Sequence, residues 1–540
     1  MPPVLAILVS ATLHGLAGRL VRVEVDVAPG LPGFTIVGLP DAALSEARER
    51  VRGALRNTGY HHPPRRITVN LAPAELRKAG ASLDLAIAVG ILLGSEQIGA
   101  GGGSTALVGE LGLGGEVRRV PGLLPMCLAL RDRGIGRVLV PADAAAEARL
   151  APGIEVVGVA TLGEAAAALR PSRSRRRLPE PLPRASSSGG DVGRDPAIGV
   201  DAAIRIDGTP GADPAAGPDG MADLADVRGQ LVARRALEIA LAGAHALLLV
   251  GPPGVGKTLL ARTIPGLLPD LDDEAALAAT VVASVASEVP VVDLVRRPPV
   301  RMPHHTVSYA GMIGGGPRLS PGEVTMADQG CLVCDELPEF GRDVLEALRQ
   351  PLEEGSVAVV RVGRAATFPA RFTFVAAMNP CPCGQHGTAD RACACPPGVP
   401  ERYLRRVSGP LRDRIDLWVR MDRVPPAVLL GGVPPDGSPI VAGRIAAARV
   451  RQRERSGSVP NGRLAGRALR RACRLDRATA ARAILLADRE GFSGRGTDRL
   501  LRVARTIADL EGASVVAERH LDEAARFRAP VDRLAFDRAS

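Results

Sequence analysis

The sequence predicts a multidomain α/β protein. Its 540 residues exceed what one hydrophobic core organises, strand-like and helix-like stretches alternate along most of the chain, and a glycine-rich loop joins an apolar strand to a helix-like stretch. Apolar residues make up 46% of the chain and aromatic residues 2%, so the cores must be built from Ala, Leu and Val. We expect about two to four domains.

Residues 1–170 are predicted to form an α+β or α/β domain. The apolar stretch at 4–9 predicts a first strand rather than a signal peptide, because no basic segment precedes it. Periodicity predicts further strands at 21–27, 67–71, 138–140 and 156–159, and helices at 41–58, 81–93 and 123–133.

Residues 171–221 lose this periodicity and are rich in Arg, Pro, Ser, Gly and Asp. Such a stretch buries too little apolar surface to offset the loss of chain entropy, so we expect a disordered linker. Its basic run at 173–177 leaves two interpretations open, contact with nucleic acid and simple solvation. Beyond the linker we expect an α/β domain at 222–425 and a helical domain at 426–540.

The clearest motif is GPPGVGKT at residues 251–258, between a short apolar strand and a helix-like stretch. In that context the glycines let backbone N–H groups surround phosphates, Lys257 reaches the β- and γ-phosphates, and Thr258 ligates Mg²⁺. The chain has only two lysines, Lys78 and Lys257, so it keeps a compact ammonium where a phosphate cradle needs one. We predict that ATP and Mg²⁺ bind at Gly251, Pro252, Pro253, Gly254, Val255, Gly256, Lys257 and Thr258.

Two further apolar strands end in polar residues. The strand at 331–334 is followed by Asp335, predicted to complete the Mg²⁺ shell through water, and by Glu336, predicted to activate the water that attacks the γ-phosphate. The strand at 372–377 is followed by Asn379, whose amide can hydrogen-bond the same water, the role called sensor 1. The order of these strands predicts ATP hydrolysis rather than binding alone.

Seven further segments complete a resemblance to a known family. With the phosphate-binding loop, they make the chain resemble the magnesium-chelatase-like AAA+ ATPases, specifically the YifB/ComM group, over most of its length. The resemblance implies an AAA+ core, a helical C-terminal lid domain and a homo-hexameric ring. The segments are DLADVRGQ (223–230), PHHTVS (303–308), GMIGGG (311–316), CDELPEF (334–340), MNPCPCG (378–384), SGPLRDRIDL (408–417) and VARTIADLEG (503–512).

The resemblance also assigns roles to arginines. Arg414 looks like the arginine finger that reaches the γ-phosphate of a neighbouring subunit, which would make hydrolysis depend on ring assembly. Arg412 stands where relatives usually carry an apolar residue, so which of the two projects stays open. For sensor 2 we take Arg495 first, with Arg499 and Arg502 as alternatives.

The segments KAGAS at 78–82 and VGELGLGGEV at 108–117 resemble the proteolytic domain of Lon, which has a ribosomal-protein-like fold. Ser82 matches the stretch that carries the nucleophile of that family. Leu124 stands where a lysine base is expected, so Ser82 has no evident base. We expect a scaffold or binding module rather than a peptidase.

Four of the eight cysteines form a C-x-C pair, a nine-residue gap and a second C-x-C pair. Four thiolates so placed indicate tetrahedral Zn²⁺ in a cytosolic protein, although C-x-x-C is the usual spacing. His386 is an alternative ligand, and free or partly buried thiols are the alternative state. We expect structural zinc at Cys381, Cys383, Cys393 and Cys395.

The alternating pattern at 356–373 predicts a β-hairpin that turns at Gly363 and Arg364. In similar ring ATPases this hairpin and the glycine-rich insert at 311–316 line the central pore. Arg361 and Arg364 are therefore candidate DNA contacts, with a solvated hairpin edge as the alternative.

The charge distribution favours an anionic partner. The net charge is +10, and residues 401–540 hold 29 arginines against 17 acidic residues. Phosphate contacts would give sequence-independent affinity for DNA, while scarce aromatic residues argue against base stacking. The leading hypothesis is a ComM-like motor that migrates DNA branches in recombination during natural transformation, with recombination proteins as possible partners.

Two other functions stay open: a chelatase-type or chaperone-like ATPase that remodels a protein, and an ATP-dependent protease. No stretch reaches the ~18 apolar residues of a membrane span, and the cysteines do not form a secreted disulfide framework. We expect a cytoplasmic protein without membrane association.

Overall fold

A computed structural model of the chain describes residues 4–39, 42–75, 78, 80–99, 105–170, 222–316, 319–361, 364–388, 391–431 and 435–528. The predicted linker at 171–221 lies outside these residues. The chain divides into two compact units, the first built mainly from residues before the linker and the second mainly from residues after it.

The first unit contains a mixed seven-stranded sheet in the order β3-β4-β2-β1-β5-β8-β9, and β6 pairs with β7 as a separate antiparallel ribbon. Its strands are β1 (Val4–His14), β2 (Ala17–Ala28), β3 (Gly33–Val37), β4 (Arg66–Ala72), β5 (Thr105–Leu107), β6 (Glu110–Leu111), β7 (Val117–Arg118), β8 (Arg137–Pro141) and β9 (Glu155–Val159). Its helices are α1 (Ala42–Asn57), α2 (Asp84–Gly94), α3 (Leu123–Asp132), α4 (Ala145–Arg149) and α5 (Leu162–Ala168), with a 3₁₀ helix at Ala142–Ala144.

The core of this unit follows from the residue patterns. In β2 the fully buried Val21, Val23 and Val25 alternate with less buried residues, as expected for a strand with one face in the core. After its first residue, Asp84, helix α2 is apolar all round, and all its residues except Leu93 are buried. The strands and helices predicted for this segment are present, and β1 runs past the predicted end to His14.

The second unit is built on a parallel five-stranded sheet in the order β11-β14-β17-β10-β18. Its sheet strands are β10 (Leu247–Val250), β11 (Val300–Arg301), β14 (Cys331–Cys334), β17 (Thr373–Met378) and β18 (Leu417–Arg420). Two antiparallel pairs accompany the sheet: β12 (Gly314–Gly315) with β13 (Ser320–Pro321), and β15 (Ser356–Arg361) with β16 (Arg364–Pro369).

Helices of two groups belong to this unit. Those between and beside the strands are α6 (Leu231–Gly243), α7 (Lys257–Arg262), α8 (Ile264–Leu267), α9 (Asp273–Ala286), α10 (Tyr309–Ile313), α11 (Glu323–Met326), α12 (Arg342–Ala347), α13 (Arg349–Glu354), α14 (Val399–Leu404) and α15 (Gly409–Arg412). The C-terminal group is α16 (Pro426–Gly431), α17 (Ser438–Ser456), α18 (Gly466–Cys473), α19 (Arg477–Glu490), α20 (Gly494–Leu510) and α21 (Glu518–Arg526). Short 3₁₀ helices lie at Leu224–Asp226, Leu337–Glu339 and Asn461–Arg463.

The sheet of the second unit is buried on both faces, as parallel sheets usually are. Leu247 and Leu249 of β10 belong to one apolar core, and Leu248 and Val250 belong to another. The first of these cores also contains buried residues of α20, including Leu500. The C-terminal helices therefore share a core with the sheet. The predicted α/β multidomain class is confirmed, with a parallel-sheet core and a helical C-terminal region.

The hairpin predicted at 356–373 is present as β15 and β16, but its predicted turn is wrong by one residue. Arg361 pairs with Arg364, so Arg364 is the first residue of β16 and not part of the turn. A two-residue connection is the commonest one between antiparallel strands. Residues 362–363 lie outside the described part of the chain. Among the helices of the described part, none has both the length and the apolar character that a bilayer crossing requires.

Candidate active site

The loop at 251–258 leads from the end of β10 into α7. Gly256 precedes the helix in the left-handed region (φ +94°), which glycine adopts without strain. Lys257 is 8% exposed, and its Nζ donates hydrogen bonds to the backbone oxygens of Gly251 at 2.6 Å and Pro252 at 2.8 Å. The same amine donates to Oδ1 of Asn379 at 3.0 Å. The loop lysine and the predicted sensor asparagine are thus in direct contact.

Burial lowers the pKa of Lys257 to about 8, because a low-dielectric surrounding disfavours the ammonium. The carboxylates of Asp335 and Glu336 oppose this effect. The Lys257 ammonium and the carboxylates of Asp335 and Glu336 therefore lie close enough to attract one another.

The predicted Mg²⁺ ligands also meet. Thr258 Oγ1 donates to Asp335 Oδ2 at 2.6 Å, and Asp335 Oδ1 accepts the backbone N–H of Glu336 at 2.9 Å. A hydroxyl and a carboxylate oxygen are ligands that Mg²⁺ accepts, with water completing the shell.

Glu336 adopts a left-handed backbone (φ +52°) at the start of a 3₁₀ helix. Such a conformation is uncommon for a residue with a side chain and is found at functional sites. Its Oε2 lies 3.6 Å from Nδ1 of His305, and the His305 ring lies 4.1 Å from that of His304.

The sequence did not assign His305 a role, although the segment PHHTVS was part of the family resemblance. A signal was present, since the segment follows β11 of the same parallel sheet. Val250 pairs with Met378, and Cys334 pairs with Ala376, so β10, β14 and β17 end at one edge. Carboxyl ends of parallel strands form the usual ligand site of open α/β sheets.

Arg414 and Arg495 are grouped elsewhere, around Glu353 at the end of α13. Arg414 forms an ion pair with Glu353 and donates to the backbone oxygen of Pro410 at 2.7 Å. Arg495 lies 3.9 Å from the same carboxylate, and its side chain is 75% exposed. None of the polar contacts found among the described residues links Arg414 or Arg495 to Lys257.

The two alternatives for sensor 2 are held by other parts of the second unit. Arg499 lies 3.6 Å from Asp416 and is 11% exposed, and Arg502 donates to the backbone oxygen of Leu464 at 2.6 Å. Arg495 is therefore the most accessible of the three candidates.

The four clustered cysteines converge in the loop that follows Asn379. Their Sγ atoms all lie within 4.8 Å of one another, and the closest pairs are 3.3, 3.5 and 3.7 Å apart. A disulfide requires about 2.0 Å, whereas four sulfurs at about 2.3 Å from one zinc lie about 3.8 Å apart. The donor set therefore fits a tetrahedral metal ion.

The surroundings of Cys383 favour ionised sulfur, whereas burial raises the pKa of Cys381, to about 12, and that of Cys393. The alternative ligand His386 contributes its backbone N–H, which donates to Cys381 Sγ at 3.3 Å. Burial opposes ionisation of Cys383, but the backbone N–H of Gln385 and the Cys381 thiol together lower its pKa to about 6. The thiolate is the form that binds metal.

In the first unit, Ser82 and Lys78 do not form a catalytic pair. Ser82 Oγ donates to the backbone oxygen of Ala11 at 2.9 Å. The buried Lys78 amine donates to the backbone oxygens of Gly38, at 3.0 Å, and Pro73. Both side chains thus donate their hydrogen bonds to backbone oxygens and not to each other.

Family comparisons cover most of the chain. The family described as magnesium chelatase, subunit ChlI, matches residues 223–429. The families described as subunit ChlI of Mg-chelatase and as magnesium chelatase, subunit ChlI C-terminal, match residues 23–144 and 436–528.

Individual relatives are similar over nearly their full length. The chain is 40% identical to YifB of Escherichia coli (strain K12) over 523 residues, which is 96% of each chain. It is 39% identical to the competence protein ComM of Haemophilus influenzae over 531 residues, 98% of each chain. A protein of Mycobacterium tuberculosis (strain ATCC 25618 / H37Rv) is 41% identical over 516 residues, 93% of this chain and 94% of its own. The chain therefore belongs to the YifB/ComM family of magnesium-chelatase-like AAA+ proteins.

Proposed function

We propose that this protein is an ATP hydrolase that works as a homo-hexameric ring motor on DNA. The observation that carries the proposal is the convergence of Lys257, Thr258, Asp335, Glu336 and Asn379 at one edge of the parallel sheet. Lysine, hydroxyl, paired acids and amide form the set that phosphoryl transfer to water requires.

Each side chain has a role in this proposal. Lys257 and the backbone of residues 251–256 hold the β- and γ-phosphates, while Thr258 and Asp335 hold Mg²⁺, which neutralises charge that develops on the phosphates. Glu336 accepts the proton of the attacking water, and Asn379 orients that water.

Ring assembly completes the site in this proposal. Arg414 acts as the arginine finger on the nucleotide of a neighbouring subunit, and Arg495 acts as sensor 2. Both meet at Glu353 within the chain, so a single carboxylate orients the two cations before they engage phosphate.

The C-terminal arginines supply a DNA-binding surface. Many arginines of this region are paired or buried, but one group is exposed and takes part in none of the ion pairs found among the described residues. This α18 arginine patch lies on and just beyond α18, whose other face is buried through Leu469, Ala472 and Cys473. Clustered exposed arginines bind nucleic-acid phosphates without sequence preference. The patch consists of Arg467, Arg470, Arg471, Arg474 and Arg477.

The β15–β16 hairpin, which we expect to line the central pore of the ring, is the second proposed DNA contact, through Arg361 and Arg364 at the ends of its strands.

One relative is a competence protein, which supports a role in branch migration during natural transformation, in the cytoplasm and alongside recombination proteins. In this proposal residues 1–170 serve as a Lon-like scaffold, followed by the linker at 171–221, the ATPase domain at 222–425 and the helical lid domain at 426–540.

ATPase measurements with and without three-stranded or forked DNA test this proposal. We expect DNA to stimulate hydrolysis at low salt, and the double variant Arg470→Ala/Arg471→Ala to weaken DNA binding and stimulation while DNA-free hydrolysis stays unchanged. The matched control is Arg482→Ala, which removes an arginine paired with Asp522 at 2.8 Å.

The main alternative is an ATPase that remodels a protein, favoured by the family descriptions, which name a chelatase subunit. If DNA does not change the rate of ATP hydrolysis and does not bind at low salt, the DNA motor is rejected and this alternative is supported.

The cofactor set includes a structural Zn²⁺ held by Cys381, Cys383, Cys393 and Cys395. The proposal rests on the convergence of the four Sγ atoms and on the match between their spacing and a tetrahedral site. About one zinc per chain is expected in protein purified without chelators, and a metal-free protein would contradict it.

A further inference from the structure

We infer that the four-cysteine metal site is a brace for the nucleotide site, so that metal occupancy sets the affinity for ATP. This inference rests on the proposed ATPase function and adds a dependence of that function on zinc. It follows from where the cysteine loop, residues 381–388 and 391–395, attaches to the site.

The cysteine loop begins at the predicted sensor. Cys381 is two residues beyond Asn379, whose amide oxygen accepts the Lys257 hydrogen bond at 3.0 Å. Cys381 is fully buried. A metal that fixes the Cys381 sulfur therefore also restricts where the backbone can place the Asn379 amide.

The same loop packs on the phosphate-binding loop. Gly384 has φ +75°, and a Cβ at this position would lie 2.5 Å from Cδ of Pro253, a distance that Cβ atoms essentially never reach in proteins. Pro253 lies within the GPPGVGKT motif. The backbone at Gly384 thus fits directly against the loop that is expected to surround the phosphates, with no room for a side chain.

A third attachment joins the cysteine loop to the sheet. Arg420 is the last residue of β18 and pairs in register with Val250, the residue before the phosphate-binding loop. Its guanidinium donates to the backbone oxygen of Gly387, and its Nε donates to Asp422 at 2.9 Å. The cysteine loop therefore contacts elements on both sides of β10.

The described residues of the cysteine loop contain no helix or strand. Apart from the bond from Arg420, their hydrogen bonds are mostly local, such as Gly384 N–H to the Cys381 oxygen at 2.9 Å and Thr388 Oγ1 to the Gln385 oxygen at 2.9 Å. Cys381 is buried, while the other three cysteines are only half-buried. With so little apolar burial, metal–sulfur bonds are the strongest means of fixing this loop, because metal binding in small sites is coupled to folding.

Two variants distinguish the effect of losing zinc from the effect of disturbing the contact between the cysteine loop and the phosphate-binding loop. Cys393→Ser removes one ligand and is expected to lose zinc and to bind ATP about tenfold more weakly, which is about the effect of losing one hydrogen bond to a charged group. Gly384→Ala keeps all four thiols, so it should retain zinc but weaken ATP binding through Pro253. Zinc is counted by mass spectrometry of the metal, and binding is measured with a fluorescent ATP analogue and Mg²⁺ on the full chain.

Matched controls account for loss of a thiol and for backbone strain. Cys473→Ser removes a buried thiol of α18, and Gly491→Ala places a side chain at a similar positive φ (+65°) with open space around it. Both should keep zinc and wild-type affinity. Cys395→His replaces a thiolate with another zinc ligand and should therefore retain most of both properties.

The outcomes are distinguishable from failure of the proposed function. Wild-type protein that does not bind the ATP analogue would reject the ATPase proposal itself. Wild-type protein that binds ATP but holds no zinc would overturn the metal site. Zinc-free Cys393→Ser with wild-type ATP affinity would overturn the brace.

Discussion

Lys257 donates a hydrogen bond to Asn379 at 3.0 Å although 122 positions separate them in sequence. The contact arises because β10 and β17 are adjacent and parallel, with Val250 in register with Met378. The residue expected to bind phosphate and the residue expected to orient the attacking water are thus in direct contact, so we expect a substitution at either one to affect the other.

The low pKa of Lys257 predicts a pH dependence of ATP binding. The pKa is about 8 in the free protein, and bound phosphates raise it because they favour the ammonium. Binding therefore takes up a proton above pH 8, and affinity should fall by up to about tenfold per pH unit there while staying nearly constant below. Titration of a non-hydrolysable ATP analogue against the wild-type chain measures this without hydrolysis and leaves the Glu336 carboxylate in place. In Lys257→Arg, whose cation does not titrate, the weaker binding should be independent of pH; wild-type affinity that stays flat well above pH 8 would contradict the assignment.

Glu336→Gln should retain ATP binding and lose turnover by about 10²- to 10⁴-fold, because an amide cannot accept the proton of the attacking water. Steady-state phosphate release and analogue binding measure the two properties. The control Glu339→Gln lies three residues on, in an exposed pair with Arg406, and should keep near wild-type turnover since such pairs contribute ~1 kcal/mol or less. Substantial turnover in Glu336→Gln would identify another base.

His305 should act as a positioning residue for Glu336, given the 3.6 Å separation of Nδ1 and Oε2. We expect His305→Ala to lower kcat about tenfold with little change in KM, since a misplaced base lowers only the chemical step. In the Glu336→Gln background the same substitution should have no further effect, because residues that act as a unit are not additive. An additive loss in the double variant would show that the histidine acts independently, and His61→Ala, at an exposed histidine of the first unit, is the control.

Mixing two inactive variants tests whether Arg414 acts on a neighbouring subunit. Arg414→Ala chains keep an intact phosphate-binding loop, and Lys257→Ala chains keep the arginine. If the arginine acts between subunits, mixed assemblies contain complete sites and the mixture should recover ATPase activity that neither variant has alone. Recovery with Arg412→Ala in place of Arg414→Ala would identify the other arginine as the finger, and no recovery with either would indicate that both act within one chain.

Asp509 should be essential to the stability of the second unit. It is 1% exposed and accepts hydrogen bonds from Arg455, Arg505 and Asn461 at 2.7 to 2.9 Å. Asp509→Ala would leave buried cations unpaired, at a cost of ~3–5 kcal/mol in the free energy of unfolding.

Urea unfolding followed by fluorescence measures this cost in the second unit alone, because the only tryptophan of the chain, Trp418, lies in β18. The control Asp522→Ala breaks an ion pair whose side chains are 34% and 37% exposed, and should cost less than ~1 kcal/mol. If both variants lose the same free energy of unfolding, the burial of Asp509 does not make its ion pairs more stabilising than an exposed pair.

The sequence by itself determined the local parts of the site. A strand, a glycine-rich loop and a helix must be consecutive to build a phosphate cradle, so Lys257 and Thr258 could be found from spacing alone, and the acids after β14 and the asparagine after β17 from strand ends. The fold class was also predictable, because hydrophobic periodicity is a local property that reports which residues face a core.

Only the tertiary structure decided how distant segments meet. It placed His305 beside Glu336, joined Arg414 and Arg495 through Glu353, and seated Gly384 on Pro253. It also showed that the three candidate arginines of α20 differ in their contacts, with Arg495 near Glu353, Arg499 near Asp416 and Arg502 on the backbone oxygen of Leu464. These relationships depend on the lateral order of the strands and on helix packing, which bring together residues far apart in sequence. Hydrophobic periodicity within one segment does not specify which other segments pack against it.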